Sequence, residues 1–440
     1  MFATLDRNVN EDESKNYKMN LKITIVFVVM LVALQSCISD DMTALQKDPL
    51  PEANTHVSMD QARQRLIKVL GKTEPATRGF SANIGEGIAL NKEAEPLTRA
   101  QGDEAWYYYF TINNGEKFAI MSARNDLPEL LAIGNGTPEK DDPTAIVPDT
   151  LRWNINNIAR GKQLPVDSTW LSENDTVFYV RGETHYTFPY RHLCPVKWDQ
   201  CAPYNKFVEF DTILGETPNA GCVATATAQF MASVKCRPTH YKEVYFDWDT
   251  LVKYPTTESL VNHPEVLDSV AKLLIYLGEK ENLNMKYGGD DHGYTSTASP
   301  YNIPRTLLNF GFAKGGSYVP FSVGAVIGEF EEGYPVIMRG HSSALPIGHQ
   351  FILQGLMKAE TIVGVYNRKE MIDSYTEVIY YFDVNWGWGA RGDGYYLSTG
   401  FNSLVPPDYN PDNNPSIPDD DSWGGNFDGY NEVLVGARYR

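Results

Sequence analysis

Asn219-Ala220-Gly221-Cys222-Val223-Ala224-Thr225-Ala226-Thr227-Ala228-Gln229-Phe230 is the stretch from which the rest of the chain is read. It reads as a loop ending in Gly221, then a helix that begins at or beside Cys222. Residues 224–228 are all Ala or Thr, and no charge follows until Lys235. A surface helix shows an apolar stripe opposite a charged face. Small side chains on every face instead predict a helix sunk between other elements. A cysteine at the positive end of such a helix is favoured as thiolate, which lowers its pKa from a free value of about 8.5. The competing reading is a structural cysteine, a residue type that is commonly buried.

A nucleophilic cysteine needs a base within hydrogen-bond reach, and the base needs an orienting group. Of the eight histidines, His349 stands at the head of the apolar strand expected over 350–356, after the loop 342–348. His341 lies in a loop, and the remaining six flank helices, sit in loops or lie outside the region. Asp383-Val384-Asn385-Trp386-Gly387-Trp388-Gly389 supplies an amide, Asn385, at a strand end. That amide can fix an imidazole tautomer, with two tryptophans to exclude water. Upstream, Trp198-Asp199-Gln200 offers Gln200 as an oxyanion donor beside the Cys222 N–H.

The 440 residues exceed the single-domain prior. A net charge of −18 with no basic run excludes nucleic acid as a partner. No Cys-x-x-Cys pair or histidine cluster has zinc spacing, so no metal and no cofactor are expected. Lys18 and Lys22 precede an apolar run over 23–34, too short for a comfortable membrane span and suited to a signal peptide. The run ends in Leu34-Gln35-Ser36-Cys37, which resembles a bacterial lipobox with Cys37 as the lipidated residue; an ordinary signal peptide is the alternative. Met19 is a more natural start than Met1. Among the other cysteines, Cys201 pairs with Cys236 or with Cys194 in an oxidising compartment, leaving one over.

Five regions follow: a signal peptide with lipobox over 1–37, a tether over 38–56, a small α+β domain over 57–182, a linker over 183–196 and a second domain over 197–440. In the first domain Ser58 and Gln61 form a capping box before an apolar stripe of Ala62, Leu66, Val69 and Leu70, which Gly71 ends. Asn113-Asn114-Gly115 between two β-rich runs signals a hairpin. A further helix is expected over 148–160. The linker carries loop-type Gly182 and Pro189 and suits proteolytic processing. In the second domain helices come first, one beginning at or beside Cys222 and others at 264–277, 304–309 and 323–330. Strands follow at 335–339, 350–356, 362–366, 377–384, 395–398 and 432–439, with a loop at 406–425. Helices before an antiparallel sheet make an α+β fold rather than alternating βα units.

The chain order Gln200, Cys222, His349, Asn385 resembles the papain-like cysteine proteases, and the local motifs resemble their streptopain family. These motifs are Trp198-Asp199-Gln200 with Pro203-Tyr204-Asn205, the 221–229 stretch, Gly348-His349-Gln350-Phe351-Ile352-Leu353, Asn385-Trp386-Gly387-Trp388-Gly389 and Asp393-Gly394-Tyr395-Tyr396. The likeness runs from about Lys197 to the C-terminus, and 58–136 is more loosely similar to the family's inhibitory prosegment. It implies Cys222 as nucleophile, His349 as base and then acid, Asn385 orienting His349, Trp386 shielding it and Gln200 in the oxyanion hole. Gly348, Ser296 and Ser299 are implied as substrate-binding. Two positions depart from the family: Gln354 replaces an acidic residue, and Ala390 a glycine. The resemblance implies an exported endopeptidase made as a zymogen, acting on proteins and peptides with an apolar residue two positions before the scissile bond. Its own prosegment would be its inhibitor, and the lipid would hold the precursor on the membrane. The alternative is a non-catalytic surface lipoprotein that binds peptides on a protease scaffold.

Overall fold

The computed structural model describes residues 56–73, 82–91, 96–97, 105–125, 127–136, 177–234, 239–288, 296–341, 348–367, 370–398 and 431–439. The expected signal run, Cys37, Cys236, the helix over 148–160 and the loop over 406–425 lie outside them. No helix among the described residues is long and apolar enough to cross a membrane. The chain divides into two compact units. One holds, of the described residues, 177–182, 362–367 and 370–375, which are strand ends. The other holds the remaining described residues, including every candidate site residue described.

The capping box forms as expected: Ser58 N–H donates to Gln61 Oε1 at 2.9 Å and Gln61 N–H to Ser58 Oγ at 3.2 Å. It opens helix α1 (Met59–Thr73), which runs past Gly71 and buries Ala62, Leu66, Val69 and Leu70. Strand β1 (Ile88–Leu90) pairs with β2 (Tyr107–Ile112), and β2 with β3 (Lys117–Ser122). The β2–β3 turn places Asn113, Asn114 and Gly115 at positive φ, as its residue types demand. Strand β4 (Leu130–Asn135) pairs with β3.

Strand β5 (Val177–Tyr190) occupies most of the expected linker. It pairs with the long β10, and Thr184 and Thr361 share a hydroxyl hydrogen bond at 2.9 Å. The segment read as an exposed processing loop is therefore paired backbone as far as Tyr190. Gly182 and Pro189 suggested a loop, but an edge strand tolerates both.

Helix α2 (Cys222–Ser233) is buried from Val223 to Ala232. Thr225 and Thr227 can be buried because their hydroxyls bond back to the Gly221 and Val223 carbonyls. A small hairpin follows, β6 (Thr239–Tyr241) and β7 (Val244–Phe246), then helices α3 (Trp248–Lys253), α4 (Thr257–Val261) and α5 (Pro264–Leu277). Helix α5 buries Val266, Leu267, Val270, Leu273, Leu274 and Leu277, which recur on one face. Helix α6 (Ile303–Asn309) leads to β8 (Lys314–Pro320), which sequence reading missed because Gly315 and Gly316 suggest a loop. A Cβ on Gly315 would lie 2.1 Å from the Pro304 carbonyl oxygen, so α6 can sit against this strand only over glycine.

The remaining elements are α7 (Val323–Glu331), β9 (Val336–His341), β10 (Gly348–Asn367), β11 (Glu370–Asn385), β12 (Gly394–Leu397) and β13 (Glu432–Arg438). The two strands expected at 350–356 and 362–366 are one, β10. The described strands make a sheet in the order β1-β2-β3-β4-β12-β11-β10-β9-β13-β8. Alternation along it separates two cores. Ile337, Ile352 and Leu434 pack with α2 and α5, whereas Met338, Phe351, Leu353 and Val433 pack in the core that includes α1 and α7. The fold is α+β, with Cys222 at the start of a helix and His349 and Asn385 on the antiparallel sheet. The expected prosegment and the expected catalytic region share that sheet, because β4 pairs with β12 through Ala132↔Tyr396, Ile133↔Tyr395 and Gly134↔Gly394.

Candidate active site

Cys222 is the first residue of α2. The preceding Gly221 has φ 88°, and a Cβ there would lie 2.3 Å from Met285 Cε, so glycine alone fits. The backbone N–H groups of Gln350, Val223 and Cys222 itself point at the thiol. Contact with Gln350 brings the head of β10 to the head of α2, which places His349 in the neighbourhood of the cysteine. Sequence reading expected a lowered thiol pKa. The structure reverses this: burial pushes it up and outweighs the three N–H groups that favour the thiolate.

His349 is buried, and burial pushes its pKa down to about 4 against the opposing pull of the Trp386 carbonyl. Its Nε2 lies 2.9 Å from Trp386 O. A carbonyl can only accept, so Nε2 carries the proton and the neutral ring has its lone pair on Nδ1. The indole of Trp388 lies 4.9 Å from the imidazole centroid and that of Trp386 6.2 Å, covering the ring.

Asn385 does not bond His349. The fully buried amide pairs reciprocally with Gln229: Gln229 Nε2 donates to Asn385 Oδ1, and Asn385 Nδ2 to Gln229 Oε1, both at 3.1 Å. Asn385 Nδ2 also donates to Val196 O at 2.8 Å. Asn385 Oδ1 accepts Gly387 N–H at 3.1 Å. Gly387 N–H and Trp386 C=O belong to one peptide group, so Asn385 fixes the plane of the carbonyl that holds His349. The direct Asn385–imidazole bond expected from sequence is replaced by this indirect one, because the buried side chain is consumed by partners on α2 and near Val196.

Gln200 is buried, and its carbonyl accepts Ala220 N–H at 2.7 Å, two residues before the cysteine. Its loop is tied to the tryptophan turn by an antiparallel bridge between Asp199 and Trp388. Ser296 is buried against the residues leading into α2: its Oγ donates to Asn219 O at 2.6 Å. Gly348 is exposed at the first position of β10, opposite His341. Ser299 is exposed at the turn before α6, where its carbonyl accepts Asn302 N–H. Cys194 and Cys201 are both free thiols, so the Cys194–Cys201 alternative does not form.

Two residues of the site had no role assigned from sequence. Gln229, two turns along α2 from Cys222, joins α2, Asn385 and, through its Oε1, the Trp198 N–H at 3.0 Å. The available signal was a lone amide in a helix of Ala and Thr, since a buried amide must find partners. Asp393 holds the Trp386 N–H at 3.0 Å. A buried carboxylate has no sequence signature of its own.

The chain matches the Peptidase C10 family model over residues 198–396. No curated protein matches it. Among solved structures it is similar to a prointerpain A fragment of Prevotella intermedia carrying a Cys-to-Ala substitution, at 19% identity and a TM-score of 0.46, covering 81% of this chain and 99% of that one. It is also similar to active wild-type interpain A cysteine protease of the same organism, at 24% identity and a TM-score of 0.32, covering 47% and 85%. Residues 198–396, which carry the Cys222 helix, the His349 strand and the tryptophan turn, thus match the model of the Peptidase C10 family, the streptopain family of cysteine peptidases.

Proposed function

We propose that this chain is an exported cysteine endopeptidase made as a zymogen, with Cys222 as nucleophile and His349 as general base. The observation that carries this reading is the meeting of two strand and helix heads, with Gln350 N–H on the Cys222 thiol and His349 locked as its Nε2–H tautomer. In the reaction, Nδ1 of His349 takes the thiol proton as Sγ attacks the substrate carbonyl. The resulting oxyanion is met by the Cys222 N–H and the Gln200 side chain. His349 then protonates the leaving amine, leaving a thioester that water hydrolyses. Trp386 and Trp388 keep water from the imidazole contact. Gly348 and Ser296 border the peptide groove, with Ser299 at its outer end. In the state described, a raised thiol and a lowered imidazole make a neutral, unactivated pair, which suits a precursor.

Residues 57–182 act as the inhibitory prosegment, supported by the strand addition of β4 to β12. The lipobox at Cys37 anchors the precursor to a bacterial membrane, and cleavage before the catalytic region leaves the lipid with the prosegment and releases the enzyme. Cys222→Ala should abolish hydrolysis of a protein substrate and labelling by a thiol-reactive epoxide while the chain stays folded. His349→Ala should remove turnover by about 10²–10⁴-fold, with His341→Ala mild. Labelling at Cys194 or Cys201 instead, or the reverse histidine ranking, overturns the assignment. Cys37→Ala should move the precursor from the membrane to the soluble fraction.

A further inference from the structure

Trp386 is held from three sides. Its indole Nε1–H donates to Gly392 O at 3.1 Å, a carbonyl that Tyr396 OH also reaches at 2.5 Å. Its backbone N–H donates to Asp393 Oδ1 at 3.0 Å. The peptide that follows has its N–H on Asn385 Oδ1 and its carbonyl on His349. Rotation of the Trp386 backbone would swing that carbonyl away from the imidazole, and the two flanking acceptors are what oppose it.

Asp393 is 2% exposed, yet its second oxygen, Oδ2, has no hydrogen-bond partner among the described residues. A buried carboxyl with one oxygen unsatisfied is costly to keep. Burial raises its pKa to about 7; Lys197 faces it as the opposing positive charge, and Asp383, Cys194 and Tyr396 as the other titratable groups. What the carboxyl provides in return is the single bond to Trp386 N–H. That bond holds the same residue whose carbonyl the base depends on.

We infer that Asp393 is a positioning residue for catalysis: it fixes the Trp386 backbone and, through it, the carbonyl that aligns His349. This rests on His349 being the base. Asp393 itself touches neither substrate nor the reacting atoms. Its side chain acts as a neutral-tolerant acceptor, since a protonated carboxyl and an Asn amide offer the same oxygen to the Trp386 N–H.

The test uses the full-length chain and its Asp393→Ala and Asp393→Asn variants, matured alike, with active sites counted by titration with a thiol-reactive epoxide. Cys222→Ala and His349→Ala are run beside them on a peptide substrate. Asp393→Ala should lower kcat about 10–100-fold, as expected for a misaligned base, with KM changed less than about twofold. Asp393→Asn should recover kcat to within about fivefold of the parent. Thermal unfolding of each variant reports any loss of fold separately. If Asp393→Ala keeps kcat within twofold, raises KM alone, or is not rescued by Asn, the inference fails. Turnover by His349→Ala at the parental rate would instead remove the base assignment on which it rests.

Discussion

His349 Nε2 lies 2.9 Å from the backbone carbonyl of Trp386. The imidazole is therefore aligned by a peptide group, whose other end is held by Asn385. Substitution at Asn385 reaches His349 only through this peptide plane and through packing. Asn385→Ala should reduce kcat less than His349→Ala, and should also lower stability, because Gln229 loses both halves of its amide pair. Steady-state kinetics with a denaturant melt on the same preparation check both effects.

Gln229 is completely buried, and its side chain bridges α2, the Trp198 loop and the Asn385 turn. Gln229→Leu preserves size but leaves the Trp198 N–H without its Gln229 acceptor and breaks the reciprocal pair with Asn385. Stability should fall by about 2–4 kcal/mol, since each orphaned buried group costs about 1–3. Chemical denaturation measures the change. A loss below about 0.5 kcal/mol would show that these bonds are readily replaced.

The Cys222 thiol is raised by burial in the full-length chain. Alkylation by iodoacetamide, which needs the thiolate, should therefore still be rising with pH at pH 9 in the uncleaved chain. A plateau below pH 7 in the uncleaved chain would mean that the pair is already activated before processing.

Gly394 faces β4 so closely that a Cβ would lie 2.2 Å from Ile133 O and 2.5 Å from Gly134 Cα. Gly394→Ala should disrupt the β4–β12 pairing while sparing the Cys222 and His349 elements. The uncleaved Gly394→Ala chain should hydrolyse peptide measurably faster than the uncleaved parent, with matured kcat within about twofold. Equal latency of the two uncleaved chains would show that this strand addition is not what restrains the enzyme.

Two buried groups give stability opposite dependences on pH. His349, lowered to about 4, binds fewer protons folded than unfolded, so its contribution is lost as pH falls from 6.5 towards 4. Asp393, raised to about 7, binds more protons folded, so its contribution is lost as pH rises from 3.8 through 7. Each window spans on the order of 3–5 kcal/mol at about 1.4 per unit. Relative to the parent, His349→Gln should gain stability on going from pH 6.5 to pH 4, and Asp393→Asn on going from pH 5 to pH 8. Melts across this range check the two signs independently.

The sequence by itself determined the local pieces. The Ser58–Gln61 box, the Asn-Asn-Gly turn, the apolar face of α5 and the burial of a small-residue helix behind Cys222 are all short-range consequences of residue type and period. The candidate nucleophile and base were proposed on similar local grounds: Cys222 and His349 each stand at an element boundary that the local pattern marks, whereas Gln200 was proposed from a loop. Only the tertiary structure decided which polar groups meet. Asn385 was assigned to the imidazole by order along the chain, but burial set it against Gln229 and left the Trp386 carbonyl for His349. The thiol pKa followed the same logic, since a helix dipole is local while desolvation depends on everything packed around the sulfur. The union of β4 with β12 joins residues some 260 positions apart, and its closest approach, at Gly134 and Gly394, has no side chain to mark it. Such an approach is invisible until the strands are brought together.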